Sequence, residues 1–242
     1  MEATVFISHG SRNEHGNNVF VTFIEKVIST GKSPYASYGF LENARPSIFE
    51  AVEACILKGA SSITVVPVLL LPGIHASVDI PEELERVRQK YSDIKIYYGQ
   101  PIGINEKILE IVMDRLKKHS FKGMDSETIL LVGHGSRDPL AADEFEKLAE
   151  RVRKDVQSNV DTAYITTQPF YGEKILVSQS SSRIYILPFL LYTGGFTAKI
   201  EETVKNVLIQ HPEKEIVLCE PVGFDDRLGG VLLQRVDEAR PR

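Results

Sequence analysis

Residues Val5–Arg12 read VFISHGSR, and 125 positions further on Leu130–Arg137 read LLVGHGSR. The likeness continues. ITVVPVLL at Ile63–Leu70 returns as IYILPFLL at Ile184–Leu191, its proline displaced by 121 positions, and QPIG at Gln100–Gly103 returns as EPVG at Glu220–Gly223. Three matches in one order and at nearly one offset mark an internal duplication, with small deletions in the second copy. The copies are expected at 1–120 and 126–242, joined near His119–Glu127.

Within each copy, strand and helix patterns alternate. Thr4–Ser8, Ala36–Leu41, Ile63–Leu71 and Ile94–Tyr98 are short apolar runs rich in β-branched and aromatic residues, which predicts strands buried on both faces. Between them, Asn18–Thr30, Ser47–Lys58, Pro81–Lys90 and Asn105–Lys118 carry apolar residues at helical spacing. Pro46 precedes the second helix and Gly59 follows it, as start and stop residues do, while Pro-Glu-Glu at 81–83 suits the positive end of a helix dipole. Such alternation implies a parallel sheet flanked by helices. The expected fold is therefore α/β, with two similar lobes and an active-site cleft between them.

Composition narrows the function. The formal charge of −5 argues against broad nucleic-acid binding, which needs clustered Lys and Arg, yet leaves room for an anionic small molecule held by a few local arginines. The apolar run Ile63–Ile74 is interrupted by Thr64, Pro67 and Pro72 and falls short of the roughly 20 residues that span a bilayer, and MEATVFISHG lacks the features of a secretory signal. Cys55 and Cys219 are the two cysteines, far apart and without a CxxC, so no iron–sulfur cluster or zinc ribbon is expected and both read as buried apolar residues. A cytoplasmic protein is expected, a monomer with no membrane partner.

The chemistry concentrates at predicted strand ends, where ligands bind in open α/β sheets. His9 follows the first strand in Ser-His-Gly-Ser-Arg; alone, it reads equally as a histidine held there for structural reasons, and its recurrence as His134 does not say which copy acts. His75 separates them. It lies in LLPGIHASVDIP, in a Pro/Gly turn after the third strand, whereas the second copy reads LLYTGGFTAKIE with Phe196 at that place. Glu42 ends the second strand, and the second copy offers Thr-Gln-Pro instead. Chemistry needing two imidazoles and a carboxylate is thus confined to the first lobe, and His134 becomes a relic with a structural or substrate-contact role. His15, His119 and His211 read as surface residues, SQSSS at 178–182 as a loop without Walker spacing, and Gly194–Gly195 as a turn. No nucleotide site is expected.

Two neutral imidazoles and a carboxylate suit Fe2+, Co2+, Ni2+ or Zn2+, and a set with open positions holds an ion loosely enough to pass it on. Together HGSR, FLENARP at Phe40–Pro46 and PVLLLPGIHASVDIP at Pro67–Pro81 resemble the class II chelatases, in particular the long, internally duplicated sirohydrochlorin chelatases, over nearly the whole chain. The resemblance implies an ATP-independent lyase that inserts a divalent metal into a tetrapyrrole, with His9 and His75 coordinating the metal and Glu42 assisting. Which histidine is ligand and which is base stays open. Some long members carry a histidine-rich tail or an iron–sulfur centre; this chain has neither and ends RVDEARPR, resembling the ferrochelatase branch. Fe2+ is thus the expected metal substrate, with Co2+ or Ni2+ as alternatives. Sirohydrochlorin is a polycarboxylate, so cationic groups are expected near it: Arg12, Arg45 and Arg137, with the backbone amides of Gly10 and Ser11. The competing readings are a cobaltochelatase and a non-catalytic metal carrier.

Overall fold

The computed structural model describes residues 1–177 and 183–240; the SQSSS stretch at 178–182 lies outside the described residues. The first repeat runs β1 (Glu2–Ser8), α1 (Glu14–Thr30), β2 (Tyr35–Phe40), α2 (Ile48–Leu57), β3 (Ser62–Val68), a π-helical turn (His75–Asp79), α3 (Ile80–Lys90), β4 (Lys95–Tyr98) and α4 (Glu106–Lys118). The second runs β5 (Glu127–Gly133), α5 (Pro139–Asp155), β6 (Asn159–Tyr164), α6 (Tyr171–Val177), β7 (Arg183–Pro188), α7 (Gly195–Gln210), β8 (Glu215–Leu218) and α8 (Arg227–Ala239). Two four-stranded parallel sheets result, ordered β2-β1-β3-β4 and β6-β5-β7-β8.

Local chemistry sets the element ends. Ser47 caps α2: its hydroxyl accepts from the Glu50 amide at 3.2 Å while Glu50 accepts from the Ser47 amide at 2.8 Å, a complete capping box. Asn105 caps α4, accepting from the amides of Lys107 and Ile108, and Arg115, Lys117 and Lys118 complement its last turn. β3 stops at Val68, short of the expected Leu71, because β1 ends at Ser8 opposite it. Beyond that point the carbonyls of Leu69 and Leu70 accept instead from the amides of Ile102 and Gly103.

The repeats and the compact units are not divided at the same places. One unit comprises Met1–Gly103 with Phe224–Arg242, the other Ile104–Gly223. The copies expected from the sequence, 1–120 and 126–242, and these units divide the chain at different places. The repeated QPIG/EPVG motif lies at both boundaries. Gly103 and Gly223 both take positive φ, 68° and 67°, and donate to the carbonyls of Leu70 and Leu190, each at 2.9 Å, just before the chain leaves its unit.

In the first unit, Ala3, Val5 and Ile7 of β1 share a buried cluster with Val52 and Cys55 of α2 and Leu84 and Val87 of α3. The other face takes α1 and α8, with the Phe20 ring 5.3 Å from Phe40 and 5.5 Å from Phe224. Arg235 of α8 fastens the exit segment, donating to the carbonyls of Pro101 at 3.0 Å and Ile102 at 2.8 Å. The second unit repeats the plan. Leu130 and Val132 of β5 pack with α6 and α7, while α5 and α4 contact β6 and β7, and Arg115 of α4 donates to Pro221 at 3.1 Å and Val222 at 3.2 Å. Each fully buried Val, Leu or Ile contributes about 1.5–3 kcal/mol, so each sheet depends on a terminal helix that the other repeat encodes. No helix among the described residues is long and apolar enough to cross a membrane.

Candidate functional site

In the first unit the chain passes from β1 to β2 on one side, then returns across β1 to β3 on the other. The carboxyl ends of β1 and β3 thus flank the topological switch point, where open α/β sheets leave a crevice. His9 follows β1, and His75 follows the β3 end after a short connection. Their rings meet edge to face with centroids 4.6 Å apart and planes at 74°.

Hydrogen bonds fix which nitrogen of each ring is free. His9 Nδ1 lies 2.9 Å from the Gly10 carbonyl oxygen, and His75 Nδ1 lies 2.6 Å from Asp79 Oδ2. A carbonyl and a carboxylate only accept, so both Nδ1 atoms carry hydrogen and both Nε2 atoms of the neutral rings keep a lone pair. Glu42 approaches the same place, with Oε1 3.5 Å from His9 Nε2 and held at 2.7 Å by Asn43 Nδ2. The three side chains are one-third to just over one-half exposed, open to a ligand.

Gly10 makes this approach possible. Its φ is +86°, and a Cβ there would fall 1.9 Å from the Glu42 carbonyl oxygen. The loops after β1 and β2 are joined at that point by the Glu42 amide donating to the His9 carbonyl at 3.0 Å. Glycine both permits the turn and lets the two loops touch.

The remaining expected binding residues divide. Arg12 is exposed and has no ion-pair partner among the described residues. Arg45 is also exposed, but its Nη1 lies 2.7 Å from Glu50 Oε1. The Ser11 amide, expected to be available to an anion, is already satisfied by Asn17 Oδ1 at 2.8 Å, and Asn17 Nδ2 donates back to the Ser11 carbonyl at 2.7 Å. Ser11 also precedes the helix, since α1 begins at Glu14 with Asn13 as its cap, so the helix end does not reach it.

The second unit retains the scaffold and one imidazole, without the second histidine and the carboxylate. His134 Nδ1 lies 2.9 Å from the Gly135 carbonyl, and its ring meets Phe196 at 4.8 Å and 79°, nearly copying the His9–His75 pair. The Thr166 amide bonds the His134 carbonyl as Glu42 bonds His9, placing a threonine where the first repeat has the carboxylate. Arg137 is exposed, and Gly194–Gly195 forms the start of α7. His119 and His211 lie at the surface as expected, each beside a carboxylate: His119 pairs with Glu220 at 2.9 Å and His211 lies 3.4 Å from Glu213. A cavity of about 510 Å³ in this unit, lined by Arg153, Asp161 and Lys174, sits at the amino ends of β5 and β6, away from these groups.

Sequence reasoning passed over Asp79. The signal was the i, i+4 spacing in HASVD, hidden because the segment was expected as a turn and is instead wound as a π-helical turn running into α3. Tyr98 of β4 donates to the Ala76 carbonyl at 2.8 Å and ties that turn down; burial pushes its hydroxyl pKa up, so it remains a donor. Ile74 and Val78 leave an apolar edge exposed beside His75. Among the described residues no group of three or more His, Cys, Asp or Glu is arranged to hold a metal ion, so the pair offers two imidazoles and leaves other positions open.

Comparison with known proteins accords with this geometry. The chain is 32% identical over 240 residues to a sirohydrochlorin ferrochelatase of Priestia megaterium, covering 98% of this chain and 90% of that one. It is 30% identical over 253 residues to a sirohydrochlorin cobaltochelatase of the same organism, covering 98% and 80%. The structure of SirB from Bacillus subtilis with Fe3+ superimposes with a TM-score of 0.87 at 31% identity, covering 98% of this chain and 95% of that one. The CbiX family matches twice, over residues 3–119 and 128–239, once for each repeat. The chain is a two-repeat member of the CbiX family.

Proposed function

We propose that the protein is a sirohydrochlorin ferrochelatase, a lyase that inserts Fe2+ into sirohydrochlorin to form siroheme without ATP or a nucleotide. The observation that carries this reading is the His9–His75 pair, two imidazoles in contact whose Nδ1 atoms are both committed as donors. The two Nε2 lone pairs suit a borderline ion such as Fe2+. Full-length similarity to a ferrochelatase supports iron; the cobaltochelatase relative makes Co2+ the alternative metal.

Insertion exchanges two pyrrole N–H protons for one divalent ion. The macrocycle nitrogens replace the imidazoles around the metal one after another, and two protons leave. Glu42, 3.5 Å from His9 Nε2 and open to solvent, is placed to accept a proton and pass it to water. An imidazole that has released the metal is free to accept the other. Two protein donors, in place of a closed four-ligand cage, let the ion depart.

The substrate's carboxylates are met by Arg12, whose guanidinium lacks a competing anion among the described residues, and by Arg45. Gly10 contributes backbone close to the ion. In this reading the protein works as a cytoplasmic monomer, with no nucleic-acid or membrane partner and no iron–sulfur centre.

The test is anaerobic absorbance of purified protein with sirohydrochlorin and Fe2+ or Co2+, alongside H9A and H75A. Metal-dependent conversion over multiple turnovers, faster with Fe2+ and lost in both variants, is the expected result. Tight stoichiometric metal binding with no acceleration over background would replace the chelatase with a carrier. Faster turnover with Co2+ would transfer the assignment to cobalt.

A further inference from the structure

Asp79 lies outside the two-histidine, one-carboxylate set, yet its contact with that set is the shortest hydrogen bond there. We propose that Asp79 is a positioning residue: it holds His75 in the Nδ1–H tautomer and in one orientation, so that Nε2 faces the incoming metal as a lone pair. The proposal rests on the reading that His9 and His75 receive the ion.

Three observations converge. The first is the contact itself, His75 Nδ1 to Asp79 Oδ2 at 2.6 Å, from a side chain that only accepts when ionised. An imidazole with neither nitrogen engaged populates both tautomers, and one of them places hydrogen on the nitrogen the metal needs. The second is the backbone. His75 and Asp79 are the first and last residues of the π-helical turn, closed by the Ile80 amide donating to the His75 carbonyl. Tyr98 anchors its middle through the Ala76 carbonyl at 2.8 Å. An isolated π turn within helical structure is uncommon and is found at functional sites; here it joins the imidazole to its carboxylate.

The third observation is a comparison internal to the chain. In the second repeat Phe196 stands in place of His75, and Ile200, four residues on, stands in place of Asp79. That segment is ordinary α-helix from Gly195 onward. His134, by contrast, persists along with its bond to the Gly135 carbonyl. Where the imidazole is gone, the carboxylate and the π winding are gone with it. Where the tautomer is set by a backbone carbonyl, as at His9 and His134, no side chain is needed. Outer partners of this kind orient a ligand ring and raise its donor strength, and their loss typically lowers metal affinity or activity about 10–100-fold.

The test compares D79A and D79N with the unaltered protein. Ring tautomers are read by long-range 1H–15N correlation of the metal-free, 15N-labelled protein, with His75 assigned through H75A. Co2+ affinity is read from the absorbance of the bound ion without tetrapyrrole, and far-UV circular dichroism checks the fold. In D79A the His75 ring is expected to lose its single Nδ1–H tautomer, and Co2+ affinity to fall about 10–100-fold. In D79N the amide oxygen still accepts from Nδ1–H, so the tautomer and most of the affinity should return.

Two results would overturn the proposal. One is a D79A protein within twofold of the original in affinity, or weakened with its His75 tautomer unchanged. The other is a D79N protein as weak as D79A despite an intact Nδ1–H tautomer, which would make the effect one of charge. If H75A itself leaves Co2+ binding untouched, the metal-site reading fails. The tautomer measurement on D79A still decides whether Asp79 sets the ring.

Discussion

Replacing Gly10 by alanine should damage the protein more than the same change at Gly135, although both glycines follow a histidine in the same HGSR motif. Both have positive φ, +86° and +98°, a conformation that costs an L-residue about 1–2 kcal/mol. The surroundings differ. At Gly135 a new Cβ meets two threonine hydroxyls, Thr167 Oγ1 at 2.6 Å and Thr166 Oγ1 at 2.8 Å, and the Thr167 amide nitrogen only at 3.2 Å; the hydroxyls can rotate away, Thr166 at the loss of its 2.8 Å bond to the His134 carbonyl. At Gly10 it meets the Glu42 carbonyl oxygen at 1.9 Å, so backbone has to move, straining the 3.0 Å bond between the Glu42 amide and the His9 carbonyl. Adding about 0.5–1.5 kcal/mol for that bond and some for relaxation gives roughly 2–4 kcal/mol for G10A, against about 1–3 for G135A, where a threonine hydroxyl bond is given up but no backbone has to move as far. With a urea m-value of about 2 kcal/mol/M, the G10A midpoint should fall by roughly 1–2 M. The chain has no tryptophan, so the transition is best followed by far-UV circular dichroism. The same displacement moves Glu42 away from His9, so G10A should also lose insertion activity while G135A retains it. A G135A protein as unstable as G10A, or G10A within 1 kcal/mol of the original, would refute the close-approach argument.

Other outcomes follow from the same contacts. H134A should retain most insertion activity, because its partner ring is Phe196; a loss equal to that of H9A would end the single-lobe assignment. R235M removes hydrogen bonds to the Pro101 and Ile102 carbonyls and should cost about 2–4 kcal/mol in denaturant unfolding, and a cost below 0.5 would show the crossover needs no clasp. Glu127 is buried, which alone would raise its pKa, but the Met124 and Lys122 amides and the Tyr185 hydroxyl outweigh burial and hold the carboxyl below its usual value. A depressed folded-state pKa contributes stability that is complete above the unfolded value, near 4.3, and is lost as pH falls through the folded one. E127Q should therefore be less stable at neutral pH and show a shallower decline below about pH 4.5, and parallel acid profiles would contradict this.

Much of this was legible in the sequence because the signals were local. Strand and helix positions came from periodicity and caps; Ser47 and Asn105 stand at the ends they cap. The histidine pair was found by setting the two repeats against each other, since His75 opposite Phe196 is a contrast in residue type. What escaped depended on backbone paths. The π winding at His75–Asp79 obeys no pattern distinct from an α-helix, so Asp79 looked like an ordinary polar residue near a helix start. The Ser11 amide seemed available until the fold brought Asn17 back onto it. The exchange of α4 and α8 was equally hidden, because nothing in an amphipathic helix says which of two similar sheets it will cover.

That exchange bears on the order in which the protein can be made. The unit formed by residues 104–223 is contiguous, and every layer it needs has been synthesised once Gly223 has left the ribosome. The unit bearing His9 and His75 is discontinuous: its sheet is translated first but lacks α8 until residues 224–239 follow. During most of translation the half that carries His9 and His75 is therefore a nascent sheet with one face incompletely clothed. A message ending before that segment would encode all of the 104–223 unit but leave the unit of His9 and His75 without α8. The unit carrying His9 and His75 is thus completed only when residues 224–239 have been added, whereas the other is already complete at Gly223.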